Sequence, residues 1–204
     1  MPIFSPQRAA LRAVRPGCRS AARGVIIVLA GVLVCQSLLA QPPARENEVK
    51  ATLLFNFCHF VQWPDTAFPA KSTPFVIAIL GEDPFGRFLD SLVVNERSHG
   101  RPIEVRRFSR LEEITGVQIL YVSRSEQARA RSVVAALRGN AVLTVGEDTE
   151  PAFTQAGGLV GFFIEGGNIK IRINLDETRE SGLNISSKLL RLAKLMPSHP
   201  HASP

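Results

Sequence analysis

Two stretches carry the same small set of chemical groups. "ILGEDPFG" (79–86) and "TVGEDTEP" (144–151) each close an apolar run with Gly-Glu-Asp. Carboxylates gathered on one rim would hold a cation or a cationic ligand. Gly81, Glu82, Asp83, Gly86, Glu147 and Asp148 are therefore a candidate small-ligand site. A plainer reading uses the same residues: the glycine makes a turn, and the aspartate caps the helix that follows. Capping is favoured, because a capping aspartate already uses its oxygens on backbone N–H groups.

"GLNISSKLLRLAKL" (182–195) raises a second possibility. Ile185, Leu189, Leu192 and Met196 fall on one face of a helix begun by Asn184, and Lys188, Arg191 and Lys194 on another. The apolar stripe predicts a lid on the core. Its basic flank is available to a partner.

The elements that must position these groups follow from the hydropathy pattern. "NEVKATLLFNFCHFVQWP" (47–64) reads as a helix with Val49, Leu53, Phe57, Phe60 and Val61 on one face, stopped by Pro64. Residues 41–48 before and around its start read as a short linker. "PFVIAIL" (74–80) is a continuous apolar strand of the type buried on both faces. A helix capped by Asp83, with Pro84 at its first position, follows it. "IEVRRF" (103–108), "VQILYV" (117–122) and "AVLTV" (141–145) read as further strands, with helical segments near Ser109, from Ser125 to Leu137 and from Pro151 to Ala156. This alternation predicts an α/β fold: a mainly parallel, doubly wound sheet with helices on both faces. "LVGFFIE" and "NIKIRIN", joined at Gly166-Gly167, predict a C-terminal antiparallel hairpin near a sheet edge. Residues 49–196 read as one domain, and 197–204 as a disordered tail.

The ends bear on location. Residues 1–23 hold five arginines and no acid, an apolar run from Val25 follows, and Ala40 precedes "QPPARENE". A basic start, a short apolar run and a small final residue predict a secretory signal cleaved near Ala40, and hence a periplasmic location. The competing reading is a retained anchor, for which the run is short. Five of the 24 basic residues precede residue 24, leaving 19 against 18 acidic ones in the remainder. The basic balance thus belongs to the leader, and no nucleic-acid partner is expected. Cys18 and Cys35 leave with the signal, so Cys58 has no internal disulfide partner and reads as a buried structural thiol.

Motifs for a nucleophile elbow, a phosphate loop or a dinucleotide fold are missing from the sequence. No cofactor is implied. His199 and His201 lie in a Pro/Ser tail and make at most a weak metal pair.

Three stretches together carry a family likeness: "VKATLLFNFCHFVQWP" (49–64), "ILGEDPFG" (79–86) and the block from Val142 to Leu195. The chain resembles the YfiR-like family of exported bacterial proteins. The resemblance implies a non-enzymatic periplasmic regulator that represses an inner-membrane diguanylate cyclase, or acts on a sensor kinase, through its periplasmic region. It also implies a homodimer and control of cyclic di-GMP and biofilm. Regulation through internal disulfides is not expected with Cys58 alone. Partner contact is assigned to Phe163, Glu165, Lys170, Arg172, Lys188 and Arg191. One of Phe162 and Phe163 must leave the inner face if their strand alternates, and an outward aromatic would anchor an interface. A helix covering both faces would remove that role. The alternative function is a periplasmic small-molecule sensor using the strand-end rim.

Overall fold

The computed structural model describes residues 43–149 and 152–196. The expected signal, its cleavage point, Pro151 and the tail with His199 and His201 lie outside the described residues.

Helix α1 (Pro43–Phe60) opens the fold, beginning inside the segment read as a linker. Its buried face is Lys50, Ala51, Leu54, Phe57 and Cys58, and Val49 is exposed. The face is thus rotated from the expected one, because 50, 54 and 57 also satisfy helical spacing and bring in a buried lysine partner. Strand β1 (Val61–Gln62) then pairs antiparallel with β9 (Asn184–Ile185).

Strands β2 (Phe75–Leu80), β4 (Arg101–Phe108), β5 (Ile119–Val122), β6 (Leu143–Glu147) and β7 (Val160–Glu165) run parallel to one another. Antiparallel β8 (Asn168–Ile173) follows β7, as the hairpin predicts, and β3 (Arg97–Ser98) pairs antiparallel with the start of β4. The order across the sheet is β10-β8-β7-β6-β5-β2-β4-β3, where β10 is Lys194–Leu195. Among the five parallel strands the chain steps from β2 to β4 on one side, then to β5 on the other. That is the doubly wound order whose switch point lies between its first and third strands.

Both faces are covered. Phe75, Ile77 and Ile79 of β2 join the core under α1 and α2 (Arg87–Val93), while Val76, Ala78 and Leu80 join a second core under α3 (Ala130–Leu137) and Phe153. A period of two in an all-apolar strand sends alternate side chains to two separate cores. Helix α2 starts at Arg87, with Gly86 at the cap position, later than expected, because Asp83 closes a turn onto the Phe85 N–H at 2.7 Å instead. The segment after β5 begins as a 3-10 turn (Arg124–Arg129) capped by Ser123.

The C-terminal segment departs most from the reading of its sequence. Helix α5 (Leu175–Glu180) is followed by β9, and α6 spans only Ser187–Leu192, with Ser186 as its cap. Asn184 is a strand residue, and Lys194 pairs beside β8 rather than ending a helix. The stripe is therefore broken: Ile185 and Leu189 are buried but Leu192 is 75% exposed. Periodicity alone could not register that two short bridges cut the helix at both ends.

Candidate functional site

The loops after β2, β5 and β6 meet above the switch point, where doubly wound sheets hold their ligands. They enclose an open cleft of about 550 Å³ with α1 on one side. Glu82, Asp83, Arg124 and Glu147 line it, with Lys50 and Tyr121 at its base.

A buried charge network forms that base. The Lys50 ammonium donates to both Glu147 oxygens at 2.7 and 2.9 Å and also to Glu46. The Tyr121 hydroxyl donates to Glu147 Oε1 at 2.8 Å. The lysine side chain is only 4% exposed and that of Glu147 only 9%. Burial and the neighbouring Glu147 carboxylate push the Tyr121 phenol well above its ordinary range, so it stays a neutral donor. The outer wall is wetter. Asp83 accepts from Arg107 at 2.7 Å, and Arg107 also holds Asp90 and the Gly86 carbonyl. The Ser125 hydroxyl accepts from the Glu82 N–H at 3.0 Å and lies 2.7 Å from the Ser123 hydroxyl. Gly81 turns the chain there with φ of +89°, and a Cβ would run into both serines.

The four rim carboxylates do not form one acidic lip. Glu147 and Asp148 are consecutive along an extended chain and point to opposite faces of the sheet. Asp148 is fully buried on the far side. Its Oδ1 accepts from the Phe153 and Thr154 N–H groups at 3.0 and 3.2 Å, capping the short helix α4 (Ala152–Gln155). Its Oδ2 accepts from the Thr154 hydroxyl and from Arg172. Gly161 of β7 lies directly against it, and a Cβ there would fall on the carboxylate. Gly86 stands exposed at the start of α2, and neither it nor Asp148 lines the cleft.

The expected partner face divides in a similar way. Phe162 enters the main core, its ring stacked 6.2 Å from that of Phe57. Phe163 does leave that face, yet it is 8% exposed and no outward anchor. The Arg172 guanidinium covers its ring at 4.4 Å, with the Lys194 ammonium at 5.8 Å. Arg172 is itself committed to Asp148. Glu165, Lys170, Lys188 and Arg191 are exposed, Glu165 lying 3.7 Å from Lys194. The apolar side chains that do reach solvent at this end are Ile164, Leu192 and Leu195.

Sequence reasoning missed Lys50, Tyr121 and Arg124 in the cleft. Lys50 had left a signal, for it sits in line with Leu54 and Phe57 on α1, and a charge in an apolar stripe demands a buried partner. Cys58 is buried as expected, and desolvation pushes its thiol up and out of the reactive range. Among the described residues no group of His, Cys, Asp and Glu is arranged to hold a metal, and no helix is long and apolar enough to cross a membrane.

No curated protein matches the chain. Among solved structures, an ABC domain in complex with L-Trp from Streptococcus pneumonia is similar at 14% identity and a TM-score of 0.44. That similarity spans 60% of this chain and 55% of the other. A family model described as YfiR/HmsC-like matches residues 47–194, from the first turns of α1 to the start of β10, and the chain belongs to that family.

Proposed function

We propose that the protein is a periplasmic regulator that acts by binding, and that it represses an inner-membrane diguanylate cyclase through the cyclase's periplasmic sensing region. The observation that carries this reading is the family match across 47–194. The geometry supports it. The titratable groups a catalyst would use at the rim are engaged: Glu147 accepts from both Lys50 and Tyr121, and Asp148 is sealed beneath Gly161. Repression then follows from preferential binding to the inactive cyclase. A coupling of about 1–3 kcal/mol shifts activity 5- to 150-fold. Lowered cyclic di-GMP, and with it less biofilm, is the output.

The docking face in this proposal is the end of the β7–β8 hairpin with α6. Glu165, Lys170, Lys188 and Arg191 supply charge and Ile164 and Leu192 supply apolar area. Phe163 and Arg172 support that face from beneath. Affinity capture of the tagged chain from membranes of its own organism tests the reading. Recovery of a cyclase with a periplasmic region is expected, together with a rise in cyclic di-GMP on deleting the gene. Repeated capture without any cyclase or sensor kinase, and unchanged cyclic di-GMP, would sink it.

The cleft at the switch point favours a second, compatible reading, in which a small ligand bound there is the releasing signal. Thermal shift against amino acids, nucleotides and divalent ions checks it. A ligand present at 100 times its Kd adds about 2.7 kcal/mol, and a flat panel removes the idea.

A further inference from the structure

The cleft above the switch point carries a charge arrangement that selects its ligand. Four carboxylates line it, those of Glu46, Glu82, Asp83 and Glu147, against the two cations Lys50 and Arg124. The cleft is therefore acidic at neutral pH.

Neutralisation is uneven within it. An ammonium has three donors, and Lys50 spends its own on Glu46 Oε1 and on both oxygens of Glu147. Asp83 is held by Arg107. Glu82 differs: it uses its backbone N–H on Ser125, while its exposed carboxylate is unpaired among the described residues.

A second acceptor lies at the base. Glu147 Oε1 accepts from Lys50 and from Tyr121, but Oε2 accepts from Lys50 alone. Each carboxylate oxygen has two lone pairs. The remaining one on Oε2 is approached only by the Arg124 guanidinium, whose nitrogen stands 3.9 Å away, too far for a hydrogen bond. The Glu147 side chain is 9% exposed and that of Arg124 is 73% exposed. A buried anionic acceptor thus has spare capacity on the side where Arg124 meets the cleft. Ile164 lines the same cleft and is largely exposed. The two spare acceptors, at the base and on the outer wall, are separate, and the described acidic residues form no cluster arranged to hold a metal ion. An organic cation with two charged ends suits them better.

We propose that the cleft binds a short aliphatic diamine. One ammonium takes the spare acceptor of Glu147 Oε2 in place of the Arg124 guanidinium, the other pairs with Glu82, and the methylenes lie against Ile164. This rests on the small-ligand reading of the cleft and names its ligand class. Ile164 also belongs to the docking face, so an occupied cleft competes with the partner for one side chain.

Calorimetry and thermal shift of the purified full chain test it with compounds of one chain length: 1,4-diaminobutane, butylamine and succinate. The diamine should bind and raise the melting temperature, and succinate should do neither. Glu82→Ala should raise the diamine Kd roughly 5-fold, and Arg124→Ala should lower it roughly 3-fold, the scale of contacts between exposed charges. Both side chains are exposed, so neither change should unfold the chain. Butylamine has a single ammonium and should bind roughly 5-fold more weakly than the diamine.

Succinate binding in place of the diamine reverses the charge class and overturns the proposal, while the small-ligand reading stands. Silence from every one of these compounds also overturns it, and the wider reading is then decided by its own panel of amino acids, nucleotides and divalent ions. Diamine binding indifferent to both substitutions places the ligand on another surface, which again overturns it. Equal affinity for butylamine and the diamine removes the two-ended mode. Magnesium matching the diamine in affinity shows a general acidic surface and counts against an organic ligand.

Discussion

The tripeptide Gly-Glu-Asp occurs twice at the same end of the same sheet, and the two copies do opposite things. Gly81-Glu82-Asp83 leaves its strand at once: the glycine takes a left-handed φ, Glu82 is exposed, and Asp83 closes a turn beside Arg107. Gly146-Glu147-Asp148 stays in the ladder, opposite Gly161 and Phe162, and all three residues are buried. The neighbours explain the difference. Strand β6 is clasped on both sides by β5 and β7, and the Asp148 N–H still donates to the Phe162 carbonyl at 2.7 Å. An identical sequence thus becomes a wet turn where the flanking strand ends and an ion-paired structural joint where it continues.

Breaking the joint should have the largest effect. Asp148→Ala removes the cap of α4 and strands the Arg172 guanidinium, whose side chain is only 13% exposed. Loss of one member of a buried pair typically costs about 3–5 kcal/mol. Asp83→Ala, the same change in the other copy, should cost about 1 kcal/mol, since Arg107 keeps Asp90 and the site is open to water. Urea unfolding of the two variants measures the contrast directly. Equal losses would mean that burial does not separate the copies.

Tyr121 sharpens the comparison with a pH signature. Removing its hydroxyl by Tyr121→Phe costs Glu147 a charged hydrogen bond, worth about 1.5–3 kcal/mol. Its phenol pKa is raised in the folded state above an ordinary value near 10. The folded protein therefore holds the proton more tightly than the unfolded chain. That stabilisation is complete below about pH 10 and is lost as pH rises beyond it, at up to about 1.4 kcal/mol per pH unit. Tyr121 is the one tyrosine in the sequence, so phenolate absorbance should appear only as the protein unfolds. A phenolate signal near pH 10 with the fold intact would show that the network is open to solvent. The Phe variant should lose this alkaline slope.

How much of this was legible in the sequence differs between the two halves of the fold. Strands β2, β5 and β6 announced themselves because a strand buried on both faces is apolar at most of its positions. The hairpin showed through the glycines at 166 and 167 and the alternation after them. The family was legible from long stretches of residues. Burial of the second acidic pair was not, because it depends on which strands lie beside β6, a long-range fact that local spacing does not carry. The same limit hid the fate of Phe163: alternation required one of Phe162 and Phe163 to leave the main core, but only the fold could select Phe163 and bring Arg172 and Lys194 over its ring. Lys194 shows the converse error, where a helical spacing continued on paper across a residue that the sheet had recruited into β10.

Glycine gives the next contrast. Gly146 and Gly158 bracket the Phe153 ring, and a Cβ on either would press into it. Gly146→Ala should therefore cost about 1–3 kcal/mol as overpacking. Pairing it with Phe153→Leu tests the cause, since a smaller side chain at 153 should relieve part of the loss. Unrelieved destabilisation would point to the backbone of β6 instead.

Glu82 should give the smallest effect and the clearest functional reading. It is exposed, and its backbone N–H rather than its carboxylate makes the bond to Ser125. Glu82→Ala should alter stability by no more than about 0.5 kcal/mol. Any ligand that raises the melting temperature of the parent protein through the cleft meets the Glu82 carboxylate on the wet wall, opposite the buried Lys50–Glu147 pair. A cationic ligand should then lose affinity in this variant, and an anionic one should gain. Glu147→Gln cannot separate those outcomes, because it disturbs the fold and the cleft together. The wet copy of the tripeptide is thus a place at this rim where ligand chemistry can be read without a change in stability, and a Glu82→Ala variant that unfolds early would remove the distinction between the two copies.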